Sequence, residues 1–257
     1  MEQFNPVQTD TKTCDKHGEF VTKFTMVGDR RIMLGACPEC ARIDRIAEDE
    51  RRRADDARRE QSRLEARLAR AGIPLRFRSR TLDSFNVENE GQRKVLATAD
   101  DFLTNWDQHY AAGTMVVFSG PPGTGKSHLA IGIALALMEK GVTAFYTNTL
   151  DAIRLVRDTW RKGSEKSELE VLEMLGSVGL LILDEVGMQF GTDGEQIQVF
   201  DIINRRYQDA MPTILLTNLG KPGLKEFLGD RSFDRLREDG IWTVFDWESQ
   251  RPKMRAA

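Results

Sequence analysis

The sequence predicts an α/β fold in which helices flank a parallel sheet, and three observations support this prediction. From about residue 75 onward, apolar runs of strand length alternate with longer helical patterns, as in βαβ units. The run 179–184 (Gly-Leu-Leu-Ile-Leu-Asp) is apolar throughout its middle, which is typical of a central parallel strand buried on both faces. A glycine-rich loop at 120–127 joins one strand to the helix that follows it.

We place five strands and six helical stretches in this part of the chain. The predicted strands are 115–119, 142–147, 179–184, 213–217 and 241–245. The predicted helices are 92–110, 126–140, 149–161, 167–177, 194–210 and short pieces over 221–238.

Three regions divide the chain: residues 1–40, 41–71 and 72–257. The middle region is rich in charge, with 18 ionisable residues among the 29 from 42 to 70, and opposite charges often lie three or four residues apart. Its apolar residues are too sparse for a sustained heptad, which favours a solvated connecting helix over a coiled coil. Gly72 and Pro74 are expected to end this helix.

Bulk properties exclude several classes of protein. The net charge is −3, with a balance of +4 over residues 1–80 and −7 over the rest, so any contact with nucleic acid must be a local patch. The longest apolar run, 129–138, has ten residues, which is too short to span a bilayer. With no visible secretory signal and three cysteines, the sequence favours a cytoplasmic protein with a metal site, without a membrane partner.

The loop at 120–127 reads Gly-Pro-Pro-Gly-Thr-Gly-Lys-Ser, a complete phosphate-binding motif. Its glycines let main-chain N–H groups surround phosphate oxygens, and the next helix points its positive end at them. Lys126 can reach the β and γ phosphates, and Ser127 can ligate Mg²⁺. Because strand, loop and helix are all present, a chance glycine-rich turn is the weaker explanation. The candidate nucleotide-contacting residues are Gly120, Pro121, Pro122, Gly123, Thr124, Gly125, Lys126, Ser127 and His128.

Two further strand ends carry polar groups that suit a nucleotide site. Asp184 and Glu185 follow an apolar strand, where Asp184 would hold Mg²⁺ and Glu185 would orient or deprotonate the attacking water. Asn218 ends the next strand and could sense the γ-phosphate. The alternatives are surface acids and a turn-forming Asn, both of which are common at strand ends.

Arg231 and Arg235 lie four residues apart in the predicted segment 221–238 and share one helix face. Either could stabilise charge on a phosphate in the transition state. The alternative is pairing within the helix, with Asp230, Asp234 or Glu238. We take Arg231 as the candidate catalytic arginine, although the sequence leaves the choice between the two open.

The amino-terminal region carries two pairs of metal-ligand type, Cys14-x-x-His17 and Cys37-x-x-Cys40. Each spacing lets a tight turn present both ligands to one tetrahedral centre, and this donor set favours Zn²⁺. All three cysteines of the chain fall in these pairs, which argues against unrelated thiols. We therefore predict a structural zinc site.

In this order, the motifs resemble the AAA+ ATPase module, with the phosphate loop as Walker A, 180–185 as Walker B, Asn218 as sensor 1 and Arg231 as a box VII-like arginine. The lead-in at 72–85 and the text around Arg231 are similar to DnaC/DnaI-type helicase loaders and to IstB-like proteins. Only twelve residues follow the last predicted strand, too few for a helical lid. No sensor 2 residue can therefore be assigned, and hydrolysis is expected to depend on a neighbouring subunit that supplies Arg231.

The resemblance implies an enzyme that uses ATP and Mg²⁺ to load a hexameric replicative helicase onto single-stranded DNA. Residues 1–71 would face the helicase, the ATPase core would contact DNA, and the chain would self-assemble into an ATP-dependent oligomer. Residues 154–162 mix basic side chains with Trp160, as single-stranded DNA sites do. An amphipathic helix with a basic face and a core Trp160 explains that stretch slightly better.

Three other functions stay open at this point. An IstB-type transposition helper would keep the ATPase and change the partner. A small-molecule kinase would need an acceptor pocket and a mobile lid. A nucleotide-gated adaptor would barely hydrolyse ATP, which Glu185 argues against.

Overall fold

The computed structural model describes residues 8–27, 30–33, 35–188, 193–238 and 240–250. These residues form two compact units that divide after Glu65. The domain borders predicted at residues 40 and 71 stay predictions. None of the helices in the described ranges is long and apolar enough to cross a membrane.

The first unit contains a small antiparallel sheet and most of a long helix. The sheet has the order β1-β2-β3, with strands β1 (Gln8–Cys14), β2 (Gly18–Val27) and β3 (Arg30–Met33). Cys14 pairs with Gly18, so residues 15–17 form the turn between β1 and β2. Helix α1 (Pro38–Arg70) follows and has 33 residues.

Helix α1 is solvated along most of its length, as its charge pattern predicts. Ion pairs at i, i+3 join Arg42 to Glu39 at 2.6 Å and Arg52 to Asp49 at 3.1 Å. The helix ends where the sequence predicts, because Gly72 takes a left-handed conformation with φ of +69°.

The second unit is built on a parallel sheet of five strands with the order β5-β6-β7-β4-β8. Its strands are β4 (Met115–Ser119), β5 (Ala144–Asn148), β6 (Leu180–Val186), β7 (Thr213–Thr217) and β8 (Ile241–Val244). All four neighbouring pairs are parallel. The predicted α/β fold is therefore confirmed.

Seven helices are described in this unit. They are α2 (Glu90–Thr104), α3 (Trp106–Ala112), α4 (Lys126–Glu139), α5 (Thr149–Asp158), α6 (Glu168–Ser177), α7 (Asp193–Gln208) and α8 (Lys221–Glu238). The prediction of one helix over 92–110 was wrong, because Asn105 has non-helical dihedral angles, φ −98° and ψ 27°, and separates α2 from α3. Helix α8 is kinked at Gly229, in agreement with the short pieces predicted there.

The sheet is buried on both faces, and alternate strand residues point into two separate cores. On β4, Val116 and Phe118 pack with α2, α4 and the lead-in residues Ile73 and Leu82. Met115 and Val117 point the other way and pack against residues of α5 to α8. Because β4 lies between β7 and β8, the loop after β4 meets the carboxyl ends of its neighbours, where ligands bind in such sheets.

Candidate functional site

The phosphate loop joins β4 to α4 and is held by close packing on both sides. A Cβ at Gly125 would come within 2.6 Å of the Phe85 ring, and one at Gly120 would overlap the Phe245 carbonyl oxygen. Both glycines have positive φ, +101° and +148°. Larger residues are therefore excluded at these positions by both conformation and space.

Lys126 lies at the centre of the site and is only 7% exposed. Its ammonium donates to the carbonyl oxygens of Gly120 at 2.6 Å and Pro121 at 2.8 Å, and to Asn218 Oδ1 at 2.9 Å. The predicted sensor Asn218, which directly follows β7, thus lies within hydrogen-bond distance of the predicted phosphate-binding cation.

Asp184 and Ser127 also meet, although they lie 57 residues apart in sequence. Asp184 Oδ2 accepts hydrogen bonds from the Ser127 hydroxyl and the Tyr146 hydroxyl, both at 2.7 Å. Hydroxyl and carboxylate oxygens are the ligands that Mg²⁺ prefers, so these residues fit the predicted ion. Burial and the negative charge of Asp184 raise the pKa of Tyr146, so this side chain stays a donor.

Glu185 has a special backbone conformation next to the buried aspartate. Its φ is +59°, and the pairing of β6 with β7 shifts register between Leu183 and Val186. Its N–H donates to Asp184 Oδ1 at 2.7 Å, and its side chain is exposed at the cavity. Irregularities of this kind turn a side chain away from the regular sheet alternation.

Most of the predicted nucleotide residues line one cavity of about 340 Å³, whereas Gly120, Pro121 and Thr124 are not among its lining residues. The phosphate loop, Asp184, Glu185 and Asn218 form one wall, and lead-in residues form another. The lead-in and flanking residues in the lining are Arg76, Phe77, Arg80, Phe85, Met188 and Gln250. A cavity of this size, with apolar and aromatic groups beside a cationic loop, suits a nucleotide.

His128 fixes the lead-in to the phosphate-loop helix. Its Nε2–H donates to the Thr81 carbonyl oxygen at 2.9 Å and lies 3.0 Å from Ser84 Oγ, while its ring packs edge-on against Phe85. Burial lowers the pKa of His128 and favours the neutral ring, and the hydrogen bond to Thr81 opposes part of this shift. His128, which the sequence predicts to contact nucleotide, lines the cavity and holds the lead-in that forms one of its walls.

The segment after β8 forms a second support for the phosphate loop, and our sequence analysis missed it. Trp247 Nε1 donates to the Thr124 carbonyl oxygen, and the Gln250 N–H donates to that of Gly123, each at 3.0 Å. The only sequence signal was the aromatic pair Phe245 and Trp247, whose rings pack together with centroids 5.1 Å apart.

Arg231 and Arg235 lie in different surroundings on α8. The Arg235 guanidinium packs over the rings of Phe200 and Tyr207, at 5.4 and 5.2 Å from their centroids. Arg231 is exposed, and no salt bridge or ring contact to it is found among the described residues. Neither arginine lines the cavity of its own chain.

The basic stretch 154–162 is largely neutralised by acidic neighbours. Arg154 pairs with Asp151 at 2.9 Å and Arg161 with Asp158 at 3.1 Å. The expectation of a core Trp160 was wrong, because this side chain is 61% exposed. The chain turns after α5, and the indole N–H donates to Glu168 at 2.7 Å outside the core.

The four predicted zinc ligands converge in the first unit. Their donor atoms all lie within 4.8 Å of one another. Cys14 Sγ lies 3.6 Å from Cys40 Sγ, and His17 Nδ1 lies 3.3–3.6 Å from the three sulfurs. Ligands of a tetrahedral zinc ion are roughly 3.5–3.8 Å apart, so the donor set and its spacing fit Zn²⁺.

The thiols in this cluster differ in acidity. A hydrogen bond from the Lys16 backbone N–H is the main cause that lowers the pKa of Cys14 to about 6. The side-chain hydrogen bond with Cys14 is the main cause that raises the pKa of Cys40 to about 11. A cation would favour the thiolate at every position.

Comparisons with known proteins agree with this geometry. The family model described as IstB-like ATP binding protein matches residues 42–237. The replicative helicase loader DnaC of Escherichia coli (strain K12) is 32% identical over 193 residues, which cover 75% of this chain and 77% of that protein. The DnaC of Buchnera aphidicola subsp. Acyrthosiphon pisum (strain APS) is 34% identical over 185 residues, 72% of this chain and 74% of that protein. An uncharacterized protein, YdaV of Escherichia coli (strain K12), is 36% identical over 195 residues, 76% and 77% of the two chains.

Solved structures of DnaC and of the related DnaA are also similar to this chain. A crystal structure of the DnaC helicase loader aligns with a TM-score of 0.61 and 25% identity, covering 67% of this chain and 99% of that one. AMPPCP-bound DnaA from Aquifex aeolicus aligns with a TM-score of 0.57 and 26% identity, covering 66% and 51%. The chain therefore belongs to the family of IstB-like ATP binding proteins, as an AAA+ protein of the DnaC type.

Proposed function

We propose that this protein is an ATP-dependent loader that places a hexameric replicative helicase on single-stranded DNA. The observation that carries the proposal is the meeting of Lys126, Asp184 and Asn218 at one cavity, in a chain similar to DnaC over about three quarters of its length. A loader works where DNA is replicated, so we also propose a cytoplasmic location.

Five polar residues of the cavity have distinct roles in ATP hydrolysis. Lys126 binds the β and γ phosphates, while Ser127 and Asp184 hold Mg²⁺, which neutralises phosphate charge when bound. Glu185 orients or deprotonates the attacking water, and Asn218 senses the γ-phosphate through the hydrogen-bond network that it shares with Lys126. The kinase alternative gains no support from this arrangement.

Arg231 is the arginine that acts on a neighbouring subunit. Its exposed side chain is available to a partner, whereas Arg235 is engaged with Phe200 and Tyr207 inside the chain. An arginine supplied in this way typically raises the hydrolysis rate by about 10³–10⁵-fold. This role requires an oligomer, which we propose forms with ATP.

Cys14, His17, Cys37 and Cys40 hold a structural Zn²⁺. Two of these ligands lie at the β1–β2 turn and two at the start of α1, so the ion joins the small sheet to the helix. So small a module buries little core, and Zn²⁺ would supply on the order of 10 kcal/mol of its folding free energy. We propose that residues 1–71 dock on the helicase and that the ATPase core contacts DNA.

Co-purification with the replicative helicase of the same host, with and without ATP, tests the function. We expect a stable complex that depends on nucleotide and that Lys126→Ala weakens, because the substitution removes the cation facing the phosphates. If the protein does not bind the helicase but binds duplex DNA and a transposase, the result would favour an IstB-type transposition helper. Because relatives of this chain are named as DnaC helicase loaders, the IstB-type alternative is not better supported.

A further inference from the structure

Tyr146 joins two parts of the second unit that the motifs leave unconnected. It lies on β5, which is an edge strand of the parallel sheet. Its hydroxyl donates to Asp184 Oδ2 at 2.7 Å, and this oxygen also accepts from Ser127 at 2.7 Å. The carboxylate of Asp184 is thus held between a phosphate-loop side chain and a neighbouring strand.

The main chain of Tyr146 is held from the other side by the end of α1. The Tyr146 N–H donates to the Ala71 carbonyl oxygen at 2.8 Å. A Cβ at Gly72 would overlap the Tyr146 carbonyl oxygen, so only glycine lets the chain approach so closely. The open edge of β5 is therefore covered by the chain leaving α1, at the residue that contacts Asp184.

These contacts form a short mechanical path. On its inner side β5 pairs with β6, where Asn148 lies opposite Asp184 and Tyr146 opposite Ile182. A movement of Ala71 and Gly72 would displace the Tyr146 main chain and, with it, the hydroxyl that fixes the carboxylate. Ser127 can ligate a cation through its oxygen and still donate its proton to Asp184. The hydrogen bonds that Asp184 Oδ2 accepts from Ser127 and Tyr146 are therefore compatible with a bound Mg²⁺.

We propose that Tyr146 is a positioning residue, which orients the Asp184 carboxylate toward Mg²⁺ and ties that orientation to the carboxyl end of α1. This inference rests on the proposed Mg²⁺–ATP site. Groups that hydrogen-bond to a metal ligand typically change metal affinity by about 10–100-fold when removed.

Tyr146→Phe tests the positioning role, with binding of a fluorescent ATP analogue as the readout. We expect the Mg²⁺ concentration for half-maximal binding to rise about 10–100-fold. Affinity measured in EDTA should stay within about twofold of wild type, because the phosphate loop is unchanged. A purely structural tyrosine would lower thermal stability and leave the Mg²⁺ dependence as it is, and that result would overturn the proposal.

Gly72→Ala tests the tie to α1, with Gly163→Ala as its matched control. Both glycines have positive φ, +69° and +89°, but a Cβ at Gly163 meets nothing within 4 Å. We expect Gly72→Ala to raise the Mg²⁺ requirement and Gly163→Ala to leave it unchanged. Adding Gly72→Ala to Tyr146→Phe should cause little further loss, since both act through one path. Equal behaviour of the two alanine variants would refute the tie.

Hydrogen exchange in the wild-type chain keeps the tie testable if Gly72→Ala does not fold. The Tyr146 amide should exchange more slowly with nucleotide and Mg²⁺ than with nucleotide alone, without a chelator that would also remove zinc, and equal rates would contradict the tie. If the wild type binds no ATP in either condition, the proposed function itself fails. If it binds with Mg²⁺ dependence and Tyr146→Phe behaves identically, only this inference fails.

Discussion

Glu185 combines a strained main chain with an exposed carboxylate at the end of a buried strand. A φ of +59° is rare for a residue with a side chain and costs of order 1–3 kcal/mol. The hydrogen bond from its N–H to Asp184 and the register shift beside it keep this conformation. The irregular main chain lets two consecutive carboxylates line one cavity, whereas regular strand alternation would point them to opposite faces of the sheet.

Replacing Glu185 with Gln should therefore separate binding from hydrolysis. We expect Glu185→Gln to bind ATP normally and to hydrolyse it about 10²–10⁴-fold more slowly, because an amide cannot accept the proton of water. Phosphate release and binding of a fluorescent ATP analogue measure the two effects. Glu173→Gln, an exposed acid on α6, serves as the control. Hydrolysis by Glu185→Gln at the wild-type rate would show that the base is another group.

The two arginines of α8 should respond differently to truncation. Arg231→Ala is expected to lower ATPase activity by about 10³-fold or more and to leave the melting temperature unchanged. Arg235→Ala loses contacts with two aromatic rings, worth about 1–2 kcal/mol together, and should lower the melting temperature by roughly 2–8 °C. Thermal unfolding and phosphate release distinguish the two outcomes. The reverse pattern would assign the catalytic role to Arg235.

At the scale of elements, the segment after β8 acts as a brace for the phosphate loop. The Trp247 indole N–H and the Gln250 main-chain N–H donate to the carbonyl oxygens of Thr124 and Gly123. A Cβ at Gly120 would collide with Phe245 of the same segment. The loop is thus held by the lead-in on one side and this segment on the other.

Trp247→Phe should weaken ATP binding by about 2–12-fold, the effect of one hydrogen bond, while the ring contact with Phe245 remains. Trp160→Phe is a matched control, since it loses an indole hydrogen bond to Glu168 outside the cavity. Titration with a fluorescent ATP analogue compares the two variants. Equal affinities would mean that the brace does not shape the loop.

We expect the small sheet and the start of α1 to depend on the proposed Zn²⁺ for folding. Chelation with EDTA should unfold the region up to residue 40, because four ligand bonds replace a hydrophobic core there. ATP binding should persist, since the cavity lies in the second unit. Zinc analysis should find one ion per chain, and NMR of the amino-terminal region should change on chelation. An unchanged spectrum after EDTA would refute the zinc site.

At the scale of the whole molecule, neither arginine of α8 lines the cavity within the described part of its own chain. Among the described residues, the arginines in the cavity lining are Arg76 and Arg80 of the lead-in, and neither belongs to α8. If Arg231 completes the site of a neighbouring subunit, as we propose, we expect ATP hydrolysis to depend on assembly.

Mixing two inactive variants tests this dependence. A Lys126→Ala subunit keeps Arg231, and an Arg231→Ala subunit keeps an intact phosphate loop. We expect the mixture to recover part of the wild-type ATPase activity. At interfaces between the two variants, an intact phosphate loop on one subunit can meet Arg231 from the other. Phosphate release from a series of mixing ratios measures it, and each variant alone is the control. A mixture as inactive as its components would contradict action between subunits.

The sequence alone determined the features encoded within short stretches of this protein. The phosphate loop, the apolar strands and the two ligand pairs depend on residues within about ten positions of one another, so their patterns predicted the fold correctly. The helix break at Asn105 escaped because the apolar pattern runs on through this residue, although its dihedral angles are not helical.

Tertiary structure alone decided which distant groups meet. Trp247 contacts Thr124 across 123 residues, and Tyr146 contacts Asp184 across 38. Such contacts depend on the order of strands in the sheet and on which edge a chain segment covers. The tertiary structure also distinguishes Arg231 from Arg235, which share a helix face in the sequence pattern. Arg235 packs against Phe200 and Tyr207, and Arg231 stays exposed. The physical reason is that burial and pairing are properties of the packed chain, whereas periodicity is a property of the local one.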